Sequence, residues 1–294
     1  MQSNVNSIEF LVKDTKQDEA QHFLFNYVAK SDLQPWAEKP DFVISDELSL
    51  FNRNFQYLAA DRIGPRSHYE LSDFSLHELQ SLGNNGEFAI QYIAEYGGKN
   101  LAIAALKHAH TQSANFLENL NAWMSDLSPG IRVRAVAQPQ FNVVTLAYAF
   151  LQGGEWTPDF KPQNVGFGLT YVLPVVTALL RAKPGDLLIL ENPESHLHPA
   201  GQFTIGRLCA LAANAGVQLI LESHSDHFLN GIRVAVKNRL ISPEKVRLFY
   251  LERQNEDASH QSVVHQPELD EDGRIDHWPK GFFDEWDKSL EQLL

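Results

Sequence analysis

The chain has 294 residues, 44% of them hydrophobic and 21% charged, and its formal net charge at pH 7 is −13. This length is enough for one large domain or two modest domains with a buried core. The negative charge disfavours nucleic-acid binding, because the field of the whole protein repels a phosphate backbone. The single cysteine, Cys209, excludes an internal disulfide and is typical of a reducing compartment.

The sequence indicates neither a membrane segment nor a secretory signal. The apolar runs of the chain are far shorter than the roughly 20 residues of a membrane helix. The first ten residues, MQSNVNSIEF, lack the basic-then-apolar pattern of a signal peptide. Residues 266–294 contain nine Asp or Glu against three Lys or Arg, which predicts an acidic C-terminal segment. We therefore expect a cytoplasmic, soluble protein with no membrane segment.

The first half of the chain is mixed in pattern. FQYLAA, at residues 55–60, predicts a short strand. Residues 76–127 carry apolar side chains at helical spacing up to the break Ser128-Pro129-Gly130, which predicts a helical insertion outside the main sheet. Residues 131–137 and 141–150 alternate or run apolar in the manner of paired strands, with QPQ as the turn between them.

The second half alternates regularly between helices and strands. A helix is predicted after the glycine-rich turn NVGFG at residues 164–168, and strands at residues 187–190, 217–222 and 246–252, with amphipathic helices between them. Continuous apolar strands separated by such helices predict an α/β fold, in which a largely parallel sheet is covered by helices on both faces. Ligands bind such sheets at the carboxyl ends of the strands.

Two of these strands end in a carboxylate. Glu191 and Glu222 are expected at the carboxyl edge of the sheet, together with His196, His198 and His224. An apolar strand that carries an acid to this edge has the physical form of a Walker B element, whose carboxylate holds Mg²⁺ beside phosphate. The alternative is a buried strand followed by a solvated loop, in which His196 and His198 only shape the turn.

Two motifs together indicate a family. LLILENPESHLHPAGQ, at residues 187–202, and QLILESHSDHFLNGIR, at residues 218–233, resemble the C-terminal half of bacterial predicted ATPases of the ABC/SMC/OLD-like group. Some members of this group end in a domain of unknown function, and DGRIDHWPKGFFDEW, at residues 272–286, is similar to its pattern. The similarity covers about residues 55–290. It implies an ABC-type P-loop NTPase head with a helical insertion, which dimerises around ATP.

The resemblance also implies roles for individual residues. Glu191 matches the Walker B acid that binds Mg²⁺, and His224 matches the switch histidine that contacts the γ-phosphate. Asn192 stands where many such ATPases have the catalytic glutamate, and an amide can orient water but cannot accept a proton as a general base. Glu194, two residues further on, is the candidate to replace that glutamate.

A second set of residues is implied in nucleotide binding. The turn NVGFGLT, at residues 164–170, resembles the signature segment that reaches a partner's nucleotide, where glycine backbone, a hydroxyl and a helix N-terminus together form an anion site. Simple entry into a helix is the alternative for this turn. Ser225 is expected near the nucleotide and, with Asp226, as a cap of the next helix. The nucleotide-binding candidates in this set are Asn164, Gly166, Gly168, Thr170, Asn192 and Ser225.

One element of such an ATPase is missing from the sequence. The 294 residues contain no phosphate-binding loop of the form G-x-x-x-x-G-K-[ST]. The nearest match, YGGKN at residues 96–100, lacks the hydroxyl residue, and no predicted strand leads into it. We interpret the chain as a head whose N-terminal Walker A lobe is missing. Residues 1–75 would be a remnant of that lobe, 76–127 the helical insertion, 128–255 the ATPase core, and 256–294 the acidic segment.

Three classes of function remain open from the sequence. The first is an ABC/SMC-like ATPase subunit or fragment that binds ATP and Mg²⁺ once a P-loop is supplied, as a homodimer or beside a partner ATPase subunit. The resembled group couples ATP to a nuclease or other effector, commonly in anti-phage defence. The second class is a non-catalytic scaffold for a complete ATPase. The third is a metal-dependent hydrolase, whose candidate ligands would be Glu191, Glu194, His196, His198, His224, Asp226 and His227.

Overall fold

A computed structural model describes residues 7–13, 20–26, 36–38, 49–256 and 259–293 of the chain. The chain divides into two compact units, Met1–Asn52 and Arg53–Leu294. The described part of the first unit contains an antiparallel sheet of β1 (Ser7–Lys13), β2 (Ala20–Asn26) and β3 (Trp36–Glu38), in that order, and a 3₁₀ turn at Ser49–Phe51. Phe23 of β2 is buried, and its ring centroid lies 5.5 Å from that of Phe51.

The second unit contains the remaining helices and strands. Its described strands are β4 (Phe55–Leu58), β5 (Tyr69–Glu70), β6 (Ile131–Gln138), β7 (Val143–Gln152), β8 (Glu155–Trp156), β9 (Leu187–Glu191), β10 (Gln218–Glu222), β11 (Tyr250–Glu256) and β12 (Ser259–His265). Its described helices are α1 (Ala89–Tyr96), α2 (Phe116–Leu127), α3 (Phe167–Arg181), α4 (Pro199–Asn214), α5 (Asp226–Lys237) and α6 (Glu285–Leu293). None of these helices is both long and apolar enough to cross a membrane.

A parallel sheet of three strands lies at the centre of this unit, in the order β10-β9-β4. Its strands confirm the predictions at residues 55–60, 187–190 and 217–222. The apolar side chains of β9 and β4 pack with those of α3 and α4 in one continuous core, which includes Leu58, Leu190, Leu173 and Leu208. Glu191 and Glu222 pair in register, so both acids stand at the same carboxyl edge.

Helices flank this sheet as predicted, but part of β10 is open to solvent. Leu219 and Leu221 pack against the main core, but the residues between and beside them are exposed, and Ile220 keeps 52% of its surface accessible. The reason is position, because β10 is the edge strand of this sheet among the strands that the structure describes. An edge strand has one row of backbone groups without a neighbour and one face that is easily left to solvent.

The strand predicted at residues 246–252 does not join the parallel sheet. Regular strand structure starts only at β11, which pairs antiparallel with β12. The preceding residues run without regular structure, although Val246 and Leu248 are partly buried against two small clusters beside α5. An alternating apolar sequence predicts an extended backbone, but the choice of neighbouring strand depends on which partner lies beside it.

The segment at residues 76–127 contains the end of a π-helical turn at Phe74–Glu78, followed by α1, a 3₁₀ turn at Ala104–Leu106 and α2, with irregular loops between them. No described residue of this segment belongs to the parallel sheet. Its buried side chains nevertheless join the main core, so α1 and α2 pack directly against α3. Beside them, β6 and β7 form the antiparallel pair that the sequence predicts, connected by a 3₁₀ turn at Pro139–Phe141.

Candidate functional site

The carboxylate of Glu191, at the end of β9, is held by two donors. Tyr57 of β4 donates its hydroxyl to Oε1 at 2.7 Å, and the backbone N–H of Ala60 donates to Oε2 at 2.9 Å. The Tyr57 hydrogen bond, followed by that of Ala60, lowers the pKa of Glu191 below its ordinary value. The same hydrogen bond is the main cause of the raised pKa of Tyr57. Glu191 is therefore ionised near neutral pH, and each oxygen keeps a lone pair for a further ligand.

The buried guanidinium of Arg62 fixes the backbone around Glu191. Its nitrogens donate to the carbonyls of Glu191 at 2.6 Å, Asn192 at 2.7 Å, and Tyr171 and Ala59 at 3.1 Å each. Arg62 also lies over the ring of Tyr171, 4.6 Å from its centroid. Burial lowers the pKa of Arg62, but arginine starts so high that it stays charged. One side chain thus ties the end of β9 to the end of β4 and to α3.

Asn192 forms a tight turn directly after β9. Its φ is +43°, a left-handed conformation that asparagine tolerates better than most residues. Its N–H donates to the carbonyl of Glu222 at 2.9 Å, which joins the turn to the end of β10. Its side-chain Oδ1 is buried and has no hydrogen-bond partner among the described residues. The structure accounts for an asparagine here by backbone geometry.

Glu194 is buried, with 5% of its surface accessible, and it faces the loop after β10. Its Oε1 accepts a hydrogen bond from the Ser223 hydroxyl at 2.7 Å and another from the His224 N–H at 3.2 Å. Its Oε2 is also buried and lacks a described partner. In this conformation Glu194 connects the two strand-end loops, and solvent does not reach its carboxylate.

His224 differs from Glu194 in being open to solvent. Its side chain is 79% exposed, and its Nε2 lies 3.6 Å from Oε1 of Glu222. The next residue, Ser225, caps α5 as the sequence predicts, because its hydroxyl accepts the N–H of Phe228 at 3.0 Å. The Ser225 hydroxyl donates in turn to Gln202 of α4 at 2.7 Å. The cap holds the backbone of the loop while the imidazole of His224 stays accessible.

The glycine-rich turn at residues 164–170 packs against the loop after β9. A Cβ on Gly168 would lie 2.2 Å from the carbonyl oxygen of His196, so only glycine allows this approach. The ring of His196 contacts those of Phe167 and Tyr171 edge-on, at 4.8 and 4.9 Å between centroids. These contacts give His196 a role in shaping the loop.

A surface cavity of about 480 Å³ opens at the N-terminus of α3, which begins after Gly166. Asn164, Gly166 and Gly168 line it, together with His196 and His198 from the opposite loop. Thr170 does not, because it is buried and its hydroxyl lies 3.0 Å from that of Tyr148. Five residues that the sequence analysis places at or near the predicted site therefore line one cavity, whereas Thr170 belongs to the core.

The residues proposed for a metal-dependent hydrolase are not brought together in the same way. Within the described residues, three ligand atoms of His, Cys, Asp or Glu lie within 4.8 Å of one another only at Asp73, His77 and Glu95. None of the seven hydrolase candidates belongs to that group.

Several side chains that organise the site were not selected from the sequence, among them Tyr57, Arg62 and Tyr171. The only sequence signal for them is an arginine four residues after the short strand β4, in FQYLAADR. A lone arginine at such a position is usually an exposed charge.

Comparison with known proteins identifies the family of the chain. Residues 24–230 match the family described as "AAA domain, putative AbiEii toxin, Type IV TA system". The chain belongs to this family. Residues 241–293 match a second family, a protein of unknown function called DUF3696. With its parallel sheet flanked by helices and its match to an AAA domain family, the chain has the α/β fold of a P-loop NTPase, and the expected C-terminal domain of unknown function is confirmed.

Solved structures give more distant matches, and no curated protein matches the chain. One match is described by the ATP-driven dimerization and DNA stimulated activation of SMC ATPases, with 14% identity, a TM-score of 0.36, and coverage of 60% of this chain and 89% of that one. An Smc head bound to the C-winged helix domain of ScpA has 13% identity, a TM-score of 0.35, and coverage of 51% and 42%. A Pyrococcus furiosus Smc head bound to the C-terminal domain of ScpA has 14% identity, a TM-score of 0.34, and coverage of 60% and 37%.

Proposed function

We propose that this chain is the part of an ABC/SMC-like ATPase that contributes the Walker B acid, the switch histidine and the signature turn. ATP hydrolysis would then require a P-loop from another polypeptide segment, because the 294 residues contain none. The observation that carries the proposal is the state of Glu191. It is an ionised carboxylate, fixed by Tyr57 and Ala60, and it stands beside Glu222 at the carboxyl edge of a parallel sheet.

Glu191 fits the role of a magnesium ligand, because its carboxylate oxygens are the kind of ligand atom that Mg²⁺ prefers. Mg²⁺ takes carboxylate oxygens at about 2.1 Å and is usually held by one or two carboxylates plus substrate phosphates. When bound, the ion would neutralise charge on the transferred phosphoryl group. Glu191 would hold it, Arg62 would keep the Glu191 backbone in place, and His224 would donate a hydrogen bond to a phosphate oxygen.

The edge of the sheet supports a P-loop supplied from elsewhere. β10 is an edge strand within the described chain, and its Ile220 is half exposed. Such an edge offers free backbone donors and acceptors to an additional strand. A strand added there would end at the same carboxyl edge as Glu191 and Glu222 if it ran parallel to β10. Its following loop would then lie beside both acids.

The cavity at the start of α3 supports a dimer. Asn164, Gly166 and Gly168 present backbone groups and a helix N-terminus at a surface, where they are open to a nucleotide held by a second head. The partner would be a second copy of this chain or a related ATPase subunit. Because the matching family is described by a toxin of a toxin–antitoxin system, we extend the proposal to an ATPase coupled to an effector, such as a nuclease, in anti-phage defence.

The test is ATP turnover by the chain alone and in complex with the P-loop-bearing polypeptide that co-purifies with it or is encoded immediately upstream of Met1. The chain alone should release phosphate negligibly. In the complex, Glu191→Gln should reduce turnover by about 100-fold, equivalent to about 2.7 kcal/mol of transition-state stabilisation, with a much smaller loss of nucleotide binding.

Two other outcomes would reject parts of this proposal. Robust turnover by the pure chain, abolished by Glu191→Gln, would contradict the need for an external P-loop. Unchanged turnover of the complex with Glu191→Gln would instead favour the scaffold hypothesis, in which this chain only pairs with a complete ATPase. Asn192 is the residue that favours that alternative, because an amide cannot replace the catalytic glutamate as a base.

A further inference from the structure

A second group of ligand-type side chains lies outside the strand-end site, on the helical segment. His77 Nε2 is 3.1 Å from Oε2 of Glu95 and 3.9 Å from Oδ1 of Asp73, and one ligand atom from each of the three lies within 4.8 Å of the other two. All three residues are on the surface, so an ion in solution can reach them. We refer to these three residues as the cluster Asp73/His77/Glu95.

The local backbone explains why these residues meet. Asp73 and His77 are four residues apart across the π-helical turn Phe74–Glu78, which is anchored by buried Leu76. Single π-helical turns are rare and occur frequently at functional sites. Glu95 is in the last turn of α1, whose buried face packs in the main core. The cluster is therefore mounted on two segments that the core holds in place.

A fully buried amide behind the cluster donates hydrogen bonds to both acids. Gln91 has 0% of its surface accessible, and its Oε1 accepts the backbone N–H of Ser72 at 2.8 Å. That bond orients the amide group so that Nε2 points at the cluster. Nε2 donates to Oε1 of Glu95 at 2.8 Å and to Oδ1 of Asp73 at 3.4 Å. One buried donor thus draws two carboxylates together, against their mutual repulsion.

The second ring nitrogen of His77 is also engaged. Nδ1 lies 2.7 Å from the hydroxyl of Tyr96. When Nδ1 carries the proton and donates it to Tyr96, Nε2 presents a lone pair toward the two acids. Metal-binding histidines are commonly oriented by such a bond at their other nitrogen. Three lone-pair donors then face one point, and a cation there would satisfy all of them.

We propose that the cluster Asp73/His77/Glu95 binds a divalent transition-metal ion such as Zn²⁺. One imidazole and two carboxylates are a ligand set that suits zinc, and the exposed side leaves a coordination position for water or a further ligand. Metal–ligand distances near 2.1 Å place tetrahedral ligand atoms roughly 3.4 Å apart. The separations of 3.1 and 3.9 Å from His77 Nε2 lie close to this spacing, and rotation of the exposed Asp73 side chain would close the longer one.

The experiment measures metal binding directly on the full chain after dialysis against a chelator. Co²⁺ serves as a spectroscopic probe of a site with nitrogen and oxygen ligands, and Zn²⁺ competition with calorimetry gives affinity and stoichiometry. We expect one ion per chain at this site, and at least about tenfold weaker binding in His77→Ala, Asp73→Asn and Glu95→Gln, equivalent to about 1.4 kcal/mol. The two isosteric amide variants keep the fold, which thermal unfolding in chelator verifies.

Two control variants make the test specific. Glu78→Gln removes an exposed acid of the same π-helical turn that lies outside the cluster, and His68→Ala removes an exposed histidine next to Ser67. Both should bind Zn²⁺ as the unmodified chain does. Absence of stoichiometric binding would overturn the proposal, since His77 would then serve only as an ion-pair partner. Equal weakening by the control variants would also overturn it, by showing general surface adsorption. None of these outcomes depends on ATP turnover.

Discussion

The carboxyl ends of β9 and β10 lie side by side and each carries a glutamate, yet their surroundings are opposite. Glu191 receives two hydrogen bonds, and Arg62 holds its backbone carbonyl and that of the next residue. Glu222 has a side chain that is 57% exposed, and Nε2 of the still more exposed His224 lies 3.6 Å from its Oε1. The end of β9 at Glu191 is therefore the rigid end, held by several hydrogen bonds, and the end of β10 at Glu222 and His224 is the accessible end.

Under the proposed function, this difference would suit a site that is completed only in an assembly. A cation ligand must have its charge and position ready, because metal coordination depends on fixed geometry. A group that contacts a phosphate only in the assembled state can remain in solvent until then. Glu194 connects the two strand ends. It lies in the loop after β9 and accepts hydrogen bonds from the Ser223 hydroxyl and the His224 N–H in the loop after β10. Variants on either side should therefore fail in different ways.

The largest expected effect on stability is that of Arg62→Met, which removes the hydrogen bonds that hold the rigid end. This change leaves the carbonyls of Glu191, Asn192 and Tyr171 without their buried donor. Hydrogen bonds to a charged group contribute about 1.5 to 3 kcal/mol each, and part of this loss is recovered because other donors remain, such as the Ser195 N–H on the Asn192 carbonyl at 3.1 Å. We expect the free energy of unfolding to fall by about 3 kcal/mol, as measured by urea denaturation.

Arg53→Met is the matched control for that measurement. Arg53 is exposed, and its ion-pair distance to Glu78 is 3.7 Å. Removing a surface pair of this kind should change the free energy of unfolding by less than about 0.5 kcal/mol. Similar losses in the two variants would mean that Arg62 does not hold the end of β9.

The sequence predicts the rigid end better in outline than in detail. Apolar runs that end in Glu191 and Glu222 are sufficient to predict two parallel strands, because continuous burial leaves few alternatives for such short segments. The donors that hold Glu191 could not be predicted in the same way. Tyr57 and Arg62 are more than 125 residues away in the chain, and only tertiary packing brings them to β9.

Strand pairing beyond these two strands also exceeded what the sequence pattern can predict. Residues 246–252 have the alternation of a sheet strand, but the structure continues them into the β11–β12 hairpin. Thr170 was selected for its hydroxyl within a glycine-rich turn, yet helical geometry turns it toward Tyr148 and the core. The sequence does not predict the cluster Asp73/His77/Glu95, because the spacing of these residues along the chain has no metal-site signature.

A smaller effect is expected at the accessible end, in His224→Ala. The imidazole is exposed and lies 3.6 Å from Oε1 of Glu222, too far for a strong hydrogen bond, so the variant should unfold at the same urea concentration as the parent chain. In the complex that supplies a P-loop, turnover should fall at least about tenfold, equivalent to about 1.4 kcal/mol. The matched control is His68→Ala, also an exposed histidine, which should leave turnover unchanged. Normal turnover in His224→Ala would remove the switch assignment and much of the ATPase proposal.

The smallest effect should come from Tyr57→Phe, which removes one of the two donors to Glu191 and leaves β4 otherwise intact. A hydrogen bond to a charged acceptor contributes about 1.5 to 3 kcal/mol, and solvent screening at this partly exposed edge reduces it, so the free energy of unfolding at pH 7 should fall by about 1 kcal/mol. The sign of the pH dependence follows from the lowered pKa of Glu191. A carboxyl group whose pKa is lower in the folded state stabilises the fold above its unfolded pKa, about 4.3.

That stabilisation is lost as the pH falls through the folded pKa, because Glu191 then becomes protonated in both states. The difference between the parent chain and Tyr57→Phe should therefore be constant from about pH 7 to pH 5 and shrink below about pH 4. Urea denaturation at several pH values measures it. Tyr250→Phe is the control, because its hydroxyl donates to the neutral Lys280 carbonyl at 3.4 Å and its effect should not follow a carboxylate titration. A Tyr57→Phe difference that stayed constant down to pH 3 would show that the hydroxyl stabilises the fold without acting through the charge of Glu191.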